Sequence, residues 1–255
     1  MAPEQEQPKD TCGITRDATS GDHGPLKAVI FDLFHTLITL DSAPPGTSTP
    51  EILGVDPAVW THKVIEESPH HALGAVRDPY ESVRMIAHAI DPSISDDKIR
   101  AAVEKRPIRF RAALLDIRPE ILAGVARLKQ TSLKIGLISN AGLDEVEAWD
   151  DSPLAPYFDA TLVSCHEGIM KPDPEIYLRA AKRLGVEPGD CLFVGDGGSS
   201  EHKGARRAGM RTALYLELLK ETSPSLAARR PRNTDWVLCS FTDLVDLSVN
   251  LAKMA

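Results

Sequence analysis

A carboxylate with the setting of a nucleophile follows the first apolar run of the chain. Residues 28–31 are Ala, Val, Ile and Phe, and they are followed by Asp32 and then by Thr36. Such a run is typical of a buried strand that delivers an acid to its carboxyl end, where open α/β sheets bind their ligands. Asp32 is therefore the first candidate for a nucleophile.

Three further segments supply polar groups at or just beyond the ends of predicted strands. Ser139 and Asn140 end a second apolar run, and Lys171 lies in a Met-Lys-Pro-Asp-Pro segment. Asp196 lies between two glycines, and Glu201 follows it by five residues. Because the carboxyl ends of parallel strands meet at one edge of a sheet, we expect these groups to converge with Asp32.

The elements that must position these residues are short apolar runs that alternate with amphipathic stretches. The predicted strands span residues 27–33, 133–139, 160–164, 191–195, 212–216 and 236–239. The predicted helices between them span residues 120–128, 174–184 and 200–208. This alternation indicates parallel pairing with right-handed crossovers, so the fold class is α/β with a doubly wound, Rossmann-like parallel sheet.

One long interval breaks the alternation. No convincing strand lies between residues 40 and 118, and residues 41–50 are rich in Pro, Gly, Ser and Thr. Three helix-like blocks follow, each with a helix-start signal, at residues 57–67, 79–90 and 95–115. The interval is long enough to form a small helical domain inserted into the core.

The predicted domain organisation follows from this interval. We expect residues 41–117 to form a helical cap over the carboxyl ends of the strands, and residues 26–40 and 118–255 to form the core. Residues 1–25 are polar and lack the apolar region of a secretory signal, so we expect a disordered tail.

Composition and charge limit the partners. A net charge of -8 argues against binding to nucleic acid, which requires clustered basic residues, so we expect a small-molecule substrate. No apolar run reaches the roughly 20 residues of a membrane helix. The four cysteines have no short paired spacing, so we expect free thiols and a cytoplasmic location. The sequence predicts no particular oligomeric state.

Taken in order and spacing, the four polar segments resemble the four motifs of the haloacid dehalogenase (HAD) superfamily, over about residues 26–217. The helical insertion after the first motif resembles the C1 cap of subfamily I. The resemblance implies a hydrolase with Asp32, Ser139 and Lys171 as catalytic residues. It also implies a substrate-binding set that consists of Thr36, Ser139, Asn140 and Lys171.

The roles implied by the resemblance agree with the residue types. Asp32 would attack phosphorus or an alkyl carbon and form a covalent intermediate, which water later opens. Lys171 would neutralise charge on Asp32 and on the substrate. Mg²⁺ would be held by Asp32, Asp196, the backbone carbonyl of Phe34 and Glu201, the last through water, because this ion prefers oxygen ligands.

Two departures from the family pattern point to opposite reactions. The phosphatases of the family carry an acid two residues after the nucleophile, where this chain has Phe34. That acid protonates the leaving group, and such assistance is commonly worth about 10² to 10⁴ in rate. HAD dehalogenases have a non-acidic residue there, since halide leaves without a proton. However, they need no metal, whereas this chain keeps Asp196 of the metal motif.

These observations leave three functions open. The leading one is Mg²⁺-dependent hydrolysis of a small phosphorylated metabolite through an aspartyl-phosphate intermediate. His35 is then a possible substitute proton donor, although neighbouring strand residues point to opposite faces. The alternatives are a 2-haloacid dehalogenase-like hydrolase that uses Asp32 without metal, and a catalytically weak binding or regulatory protein.

One basic segment lies outside the motifs. The stretch after Leu219 contains Pro224, Arg229, Arg230, Pro231 and Arg232. We expect it to be an exposed loop before the last strand and helix, and an anion-binding role for its arginines is one possibility.

Overall fold

A six-stranded, fully parallel sheet forms the centre of the computed structural model, which describes residues 24–253. The predicted tail lies outside the described residues, apart from Gly24 and Pro25. The strand order is β3-β2-β1-β4-β5-β6. The strands are β1 (Ala28–Phe31), β2 (Lys134–Ser139), β3 (Ala160–Val163), β4 (Cys191–Gly195), β5 (Arg211–Tyr215) and β6 (Trp236–Leu238).

The central strand β1 is buried on both faces, as its uninterrupted apolar sequence predicts. Val29 and Phe31 face one apolar cluster, which includes Phe241, whereas Ile30 faces a second cluster that includes Tyr177. Helices cover both faces of the sheet, so the predicted α/β class is confirmed. Each predicted strand coincides with an observed strand to within two residues at either end.

Thirteen α-helices lie within residues 24–253. Five of them lie between β1 and residue 118: α1 (Thr49–Leu53), α2 (Pro57–Glu66), α3 (Ser68–Ala72), α4 (Pro79–Ile90) and α5 (Asp96–Leu115). The others are α6 (Pro119–Lys129), α7 (Leu143–Val146), α8 (Ser164–Glu167), α9 (Pro174–Leu184), α10 (Glu201–Arg207), α11 (Glu217–Thr222), α12 (Pro224–Arg229) and α13 (Phe241–Ala252).

Helices α1, α2, α4 and α5 share an apolar cluster of their own. Trp60, Val83 and Ile99 are among its buried members. The side chains of Asp56 and Asp78 accept backbone N–H bonds at the starts of α2 and α4, as the helix-start signals predict. An apolar cluster separate from that of the sheet is what a small helical domain needs. The boundaries of the cap and the core stay predictions.

The segment after Leu219 is only partly the exposed loop that we expected, since residues 231–233 are exposed and lie outside helices and strands. Helices α11 and α12 occupy it, and Leu219 and Ala227 are buried in one cluster with Leu214 and Val237. The prediction missed these two helices because the prolines and arginines of the segment concealed a short apolar face. This packing fixes the backbone that carries Arg230.

The structure also bears on the expected free thiols and on membrane-spanning helices. Cys165 and Cys191 are free and buried, but Cys239 is disulfide-bonded, so the expectation of free thiols is wrong for that residue. None of the helices in residues 24–253 combines the length and the apolar character needed to cross a membrane. The cytoplasmic location stays a prediction.

Candidate active site

Asp32 lies directly beyond the central strand. Its N–H donates to the carbonyl of Val194 at 2.8 Å, which extends the pairing of β1 with β4 by one residue. The chain then turns, and the carbonyl of Leu33 accepts from the N–H groups of Leu37 and Ile38. This turn brings the Thr36 hydroxyl to 3.0 Å from Oδ2 of Asp32, to which it donates.

Lys171 contacts Asp32 from a different segment, 139 residues later in the chain. Its Nζ donates to Oδ1 of Asp32 and, at 2.8 Å, to Oε2 of Glu201. The side chain of Lys171 is only 3% exposed. The Asn140 side chain fixes the Lys171 backbone through two bonds of 2.8 Å, one donated and one accepted. The sequence did not indicate this positioning role for Asn140.

Asp196 and Glu201 complete a group of three buried carboxylates. One oxygen from each of Asp32, Asp196 and Glu201 lies within 4.8 Å of the other two. Backbone amides orient two of the acids: Oδ1 of Asp196 accepts from the N–H of Gly198, and Oε1 of Glu201 accepts from that of Gly197, both at 2.9 Å. The predicted motifs therefore meet at one point.

Close approach and burial shape the environment of Glu201. A Cβ at Gly195 would lie 2.2 Å from Oε1 of Glu201, so only glycine leaves room for this carboxylate. Burial raises the pKa of Glu201 to about 8; Lys171 opposes that rise, and the carboxylates of Asp32 and Asp196 add to it. Burial alone would lower the pKa of Lys171. The neighbouring carboxylates of Asp32 and Glu201 outweigh burial and raise this pKa above its ordinary value. Lys171 therefore stays charged.

A second cation comes from the segment after Leu219, for which the sequence predicts a loop. Nη2 of Arg230 lies 2.5 Å from Oδ2 of Asp196. We call Asp32, Lys171, Asp196, Glu201 and Arg230 the strand-end cluster. Three carboxylates and two cations thus meet where the central strands end.

Ser139 and His35 each have a buried polar atom with no hydrogen-bond partner among residues 24–253. For Ser139, at the end of β2, this atom is the hydroxyl oxygen. For His35 it is Nδ1, and the backbone of His35 is left-handed, with φ 60°. Buried polar groups are normally satisfied, so a hydroxyl without a partner at the end of β2 suits a ligand oxygen. The role of His35 as a proton donor stays a prediction.

Phe34 packs against the helices that follow β1. Its ring lies 6.0 Å from that of Phe110 in an edge-to-face arrangement, and the guanidinium of Arg106 lies 5.0 Å from the Phe110 ring. Within residues 24–253, no donor binds the carbonyl oxygen of Phe34. That oxygen is thus free for its predicted role as a metal ligand, while the ring makes an apolar contact where the family's phosphatases carry an acid.

A second buried group of charges joins α5 to the sheet domain. Arg106 donates to Asp144 at 2.5 Å and to Glu145 at 2.9 Å. His71 lies 3.9 Å from Glu145. We call these four residues the cap-core cluster.

The cap-core cluster borders a cavity that does not reach Asp32. The cavity has a volume of about 650 Å³ and lies against α7 and the edge strand β3. Asp144, Trp149 and His166 are among its lining residues. It therefore does not form part of the candidate site.

The donor set of the strand-end cluster fits a divalent cation such as Mg²⁺. Asp32, Asp196 and Glu201 offer only oxygen atoms, which are the ligands that this ion prefers. With all three acids ionised, the cluster carries one more negative charge than Lys171 and Arg230 offset. A bound divalent cation would supply the positive charge that an anionic substrate needs beside these acids.

Comparisons with known proteins agree with this geometry. A sequence profile of haloacid dehalogenase-like hydrolases matches residues 26–209. The chain is 28% identical over 199 residues to the glyceraldehyde 3-phosphate phosphatase of Methanopyrus kandleri, which covers 73% of this chain and 82% of the relative. It is 35% identical over 107 residues to the phosphoserine phosphatase of Thermus thermophilus, covering 42% of this chain and 43% of the relative.

A solved structure shows the same fold. The L-2-haloacid dehalogenase from Xanthobacter autotrophicus has a TM-score of 0.62 and 22% identity, over 90% of this chain and all of the other. At that identity the likeness concerns the fold alone. The profile match, which spans the four motifs that meet at Asp32, shows that this chain is a hydrolase of the haloacid dehalogenase-like family.

Proposed function

We propose that this protein is a Mg²⁺-dependent phosphatase that hydrolyses a small phosphorylated metabolite through an aspartyl-phosphate intermediate on Asp32. The observation that carries the proposal is the meeting of the Asp32, Asp196 and Glu201 carboxylates within 4.8 Å. A dehalogenase that works without metal needs Asp32 but does not require three acids at metal-binding distance. The relatives named as phosphatases support a phosphorylated substrate.

In the proposed reaction an oxygen of Asp32 attacks phosphorus and the bond to the leaving oxygen breaks. Thr36 donates to Oδ2 of Asp32, and Lys171 contacts Oδ1, so both residues fix the orientation of the attacking carboxylate. Water then attacks phosphorus, which releases phosphate and restores the Asp32 carboxylate. A divalent cation held by the three acids would supply the charge that lets a phosphate dianion approach them.

Two residues are suited to hold the phosphoryl oxygens. The ammonium of Lys171 is kept charged by its neighbours and lies beside Asp32. The Ser139 hydroxyl, which is buried without a partner in the described part of the chain, would donate to a phosphoryl oxygen. Donors placed in advance stabilise the charge that develops during transfer.

Protonation of the leaving group distinguishes this site from that of the family's phosphatases. Phe34 offers no proton, and its ring is engaged with Phe110. We therefore propose that good substrates are phosphates whose leaving group needs little protonation. If His35 is the donor instead, His35→Gln will lower the turnover of alkyl phosphates far more than that of aryl phosphates, and unchanged turnover of both excludes this role.

The Phe34–Phe110 contact favours a second candidate function, hydrolytic cleavage of a carbon-halogen bond by Asp32 without metal. An apolar pair suits a halide leaving group, which requires no acid. In this reaction Asp32 would form an ester with the substrate carbon as halide departs, and water would then open the ester.

A substrate panel with and without metal separates these functions. Aryl phosphate, alkyl phosphate and 2-chloropropionate would each be tested with Mg²⁺ or with chelator. Asp32→Asn serves as the blank and Asp144→Asn as a matched control from the cap-core cluster. We expect aryl phosphate turnover that requires Mg²⁺ and Asp32. Halide release with chelator present would instead establish the dehalogenase, and phosphate binding without any turnover would establish a binding protein.

A further inference from the structure

Both oxygens of the Asp196 carboxylate have donors, and one of these donors is a cation. Oδ1 accepts from the N–H of Gly198 at 2.9 Å, and Oδ2 accepts from Nη2 of Arg230 at 2.5 Å. Asp196 is one of the three acids whose oxygens could hold a metal ion. Arg230 therefore binds a metal-site carboxylate directly.

The turn that carries Asp196 lies against the side chain of Arg230. Gly197 has φ 87°, and a Cβ there would lie 3.6 Å from Cβ and Cδ of Arg230. A Cβ at Gly198 would lie 3.4 Å from Nη2 of Arg230 and 3.0 Å from Oδ1 of Asp196. The turn that carries the acid thus also receives the arginine side chain.

The backbone of Arg230 follows a packed helix, whereas its guanidinium is held by one ion pair. The N–H of Arg230 donates to the carbonyl of Ala227 at 3.3 Å, and Ala227 is buried against Leu216 and Leu219. The side chain is 18% exposed and contacts one carboxylate. Its buried Nε has no acceptor among the described residues. The guanidinium can therefore leave Asp196 by side-chain rotation, without unfolding α12.

We propose that Arg230 is a built-in cation that competes with the divalent metal ion for Asp196 and so sets the metal affinity of the site. Two cations on one carboxylate repel each other. Metal binding therefore requires the guanidinium of Arg230 to move away from Asp196. The apparent affinity for the metal ion is then the intrinsic affinity multiplied by the fraction of molecules in which Arg230 has left Asp196. This inference rests on the metal site of the proposed function.

Metal titration of the full chain tests the competition without any measurement of turnover. The wild type, Arg230→Met and Arg230→Gln would be titrated with MgCl₂ by isothermal calorimetry. Methionine keeps the apolar stem of the side chain but removes its charge. Arg229→Ala is the matched control, because Arg229 is exposed in the same segment and donates to the carbonyl of Ser225 at 3.1 Å.

We expect both Arg230 variants to bind Mg²⁺ at least about tenfold more tightly than the wild type and Arg229→Ala. Mg²⁺ should also raise the melting temperature of Arg230→Met more than that of the wild type, since at equal concentration a ligand that binds more tightly stabilises the fold more. This second measurement confirms that the variant is folded.

Two results would overturn the inference. Equal or weaker Mg²⁺ binding by folded Arg230 variants would contradict the competition while leaving the proposed metal site intact. If neither the wild type nor any variant binds Mg²⁺, both the inference and the metal part of the proposed function are wrong.

Discussion

The strand-end cluster and the cap-core cluster are both buried groups of charge, yet only one has the features of an active site. In the cap-core cluster Arg106 donates hydrogen bonds to Asp144 and Glu145. The second carboxylate oxygen of Glu145 accepts from the N–H of Gly142. In the strand-end cluster three acids lie within metal-binding distance of one another. Within residues 24–253, no similar group of metal-binding side chains includes the acids of the cap-core cluster.

The contrast shows that burial of charge alone does not mark a reactive site. Removing one partner of a buried ion pair commonly costs about 3 to 5 kcal/mol of stability, whatever the pair does. What distinguishes the strand-end cluster is the approach of three carboxylates to within 4.8 Å of one another, which the described residues of the cap-core cluster do not share. Substitutions in the two clusters should therefore differ most in turnover.

The largest difference is expected for the paired variants Asp32→Asn and Asp144→Asn. Loss of the nucleophile should lower aryl phosphate turnover by roughly 10³-fold or more. Asp144→Asn should leave the turnover of the folded protein largely unchanged, because Asp144 contacts Arg106 and not the strand-end cluster. Initial rates with Mg²⁺, normalised to folded protein, check both variants. Comparable losses of turnover in Asp32→Asn and Asp144→Asn would show that the two clusters do not differ in this way.

Arg106→Met should have the next largest effect, on stability. It leaves Asp144 and Glu145 without their cation, and we expect a loss of about 3 kcal/mol in the free energy of unfolding. Urea unfolding measures the loss, and Arg106→Lys should recover part of it. A loss below about 1 kcal/mol would indicate that the pairs behave as exposed salt bridges.

Phe34→Asp should restore the acid that family phosphatases carry. With a proton donor two residues after Asp32, alkyl phosphate turnover is expected to rise by about 10²-fold, at the lower end of general acid catalysis. Aryl phosphates should gain little, because their leaving groups hardly need a proton. Phe34→Asn is the control, since it removes the same ring without adding an acid. Equal gains in both variants would show that the ring, and not the missing acid, limits the rate.

The smallest effect concerns the aromatic contact that lies between the clusters. Phe34 and Phe110 are 6.0 Å apart, and such pairs are commonly worth about 1 kcal/mol beyond their buried area. A double-mutant cycle with Phe34→Leu and Phe110→Leu should give a coupling free energy of that size. Additive effects on thermal or urea unfolding would show that the rings are independent.

The sequence predicted the sheet well because its signals are local. Each apolar run that we expected to be a strand is one, and the glycines and acids that follow β1 and β4 meet at the strand ends. Parallel topology carries those ends to a common edge, so convergence of Asp32 and Asp196 could be expected without coordinates.

The contacts that depend on distant segments could not be predicted. Arg230 lies 34 residues after Asp196, in a segment whose prolines and arginines indicated a loop. The bonds between the Asn140 side chain and the Lys171 backbone span 31 residues and leave no periodic trace. The Phe34–Phe110 contact likewise depends on how α5 packs against the turn after β1.

Chemical identification of the covalent intermediate shows whether Asp32 carries the phosphoryl group. The full chain would be mixed with aryl phosphate and Mg²⁺, quenched in acid and reduced with borohydride, which converts an aspartyl phosphate to homoserine. Peptide mass spectrometry then locates the modified residue. We predict homoserine at position 32 in the wild type with Mg²⁺, and none in the presence of chelator or in Asp32→Asn. Turnover of the aryl phosphate with no modification at Asp32 would show that the reaction does not proceed through an aspartyl phosphate on this residue.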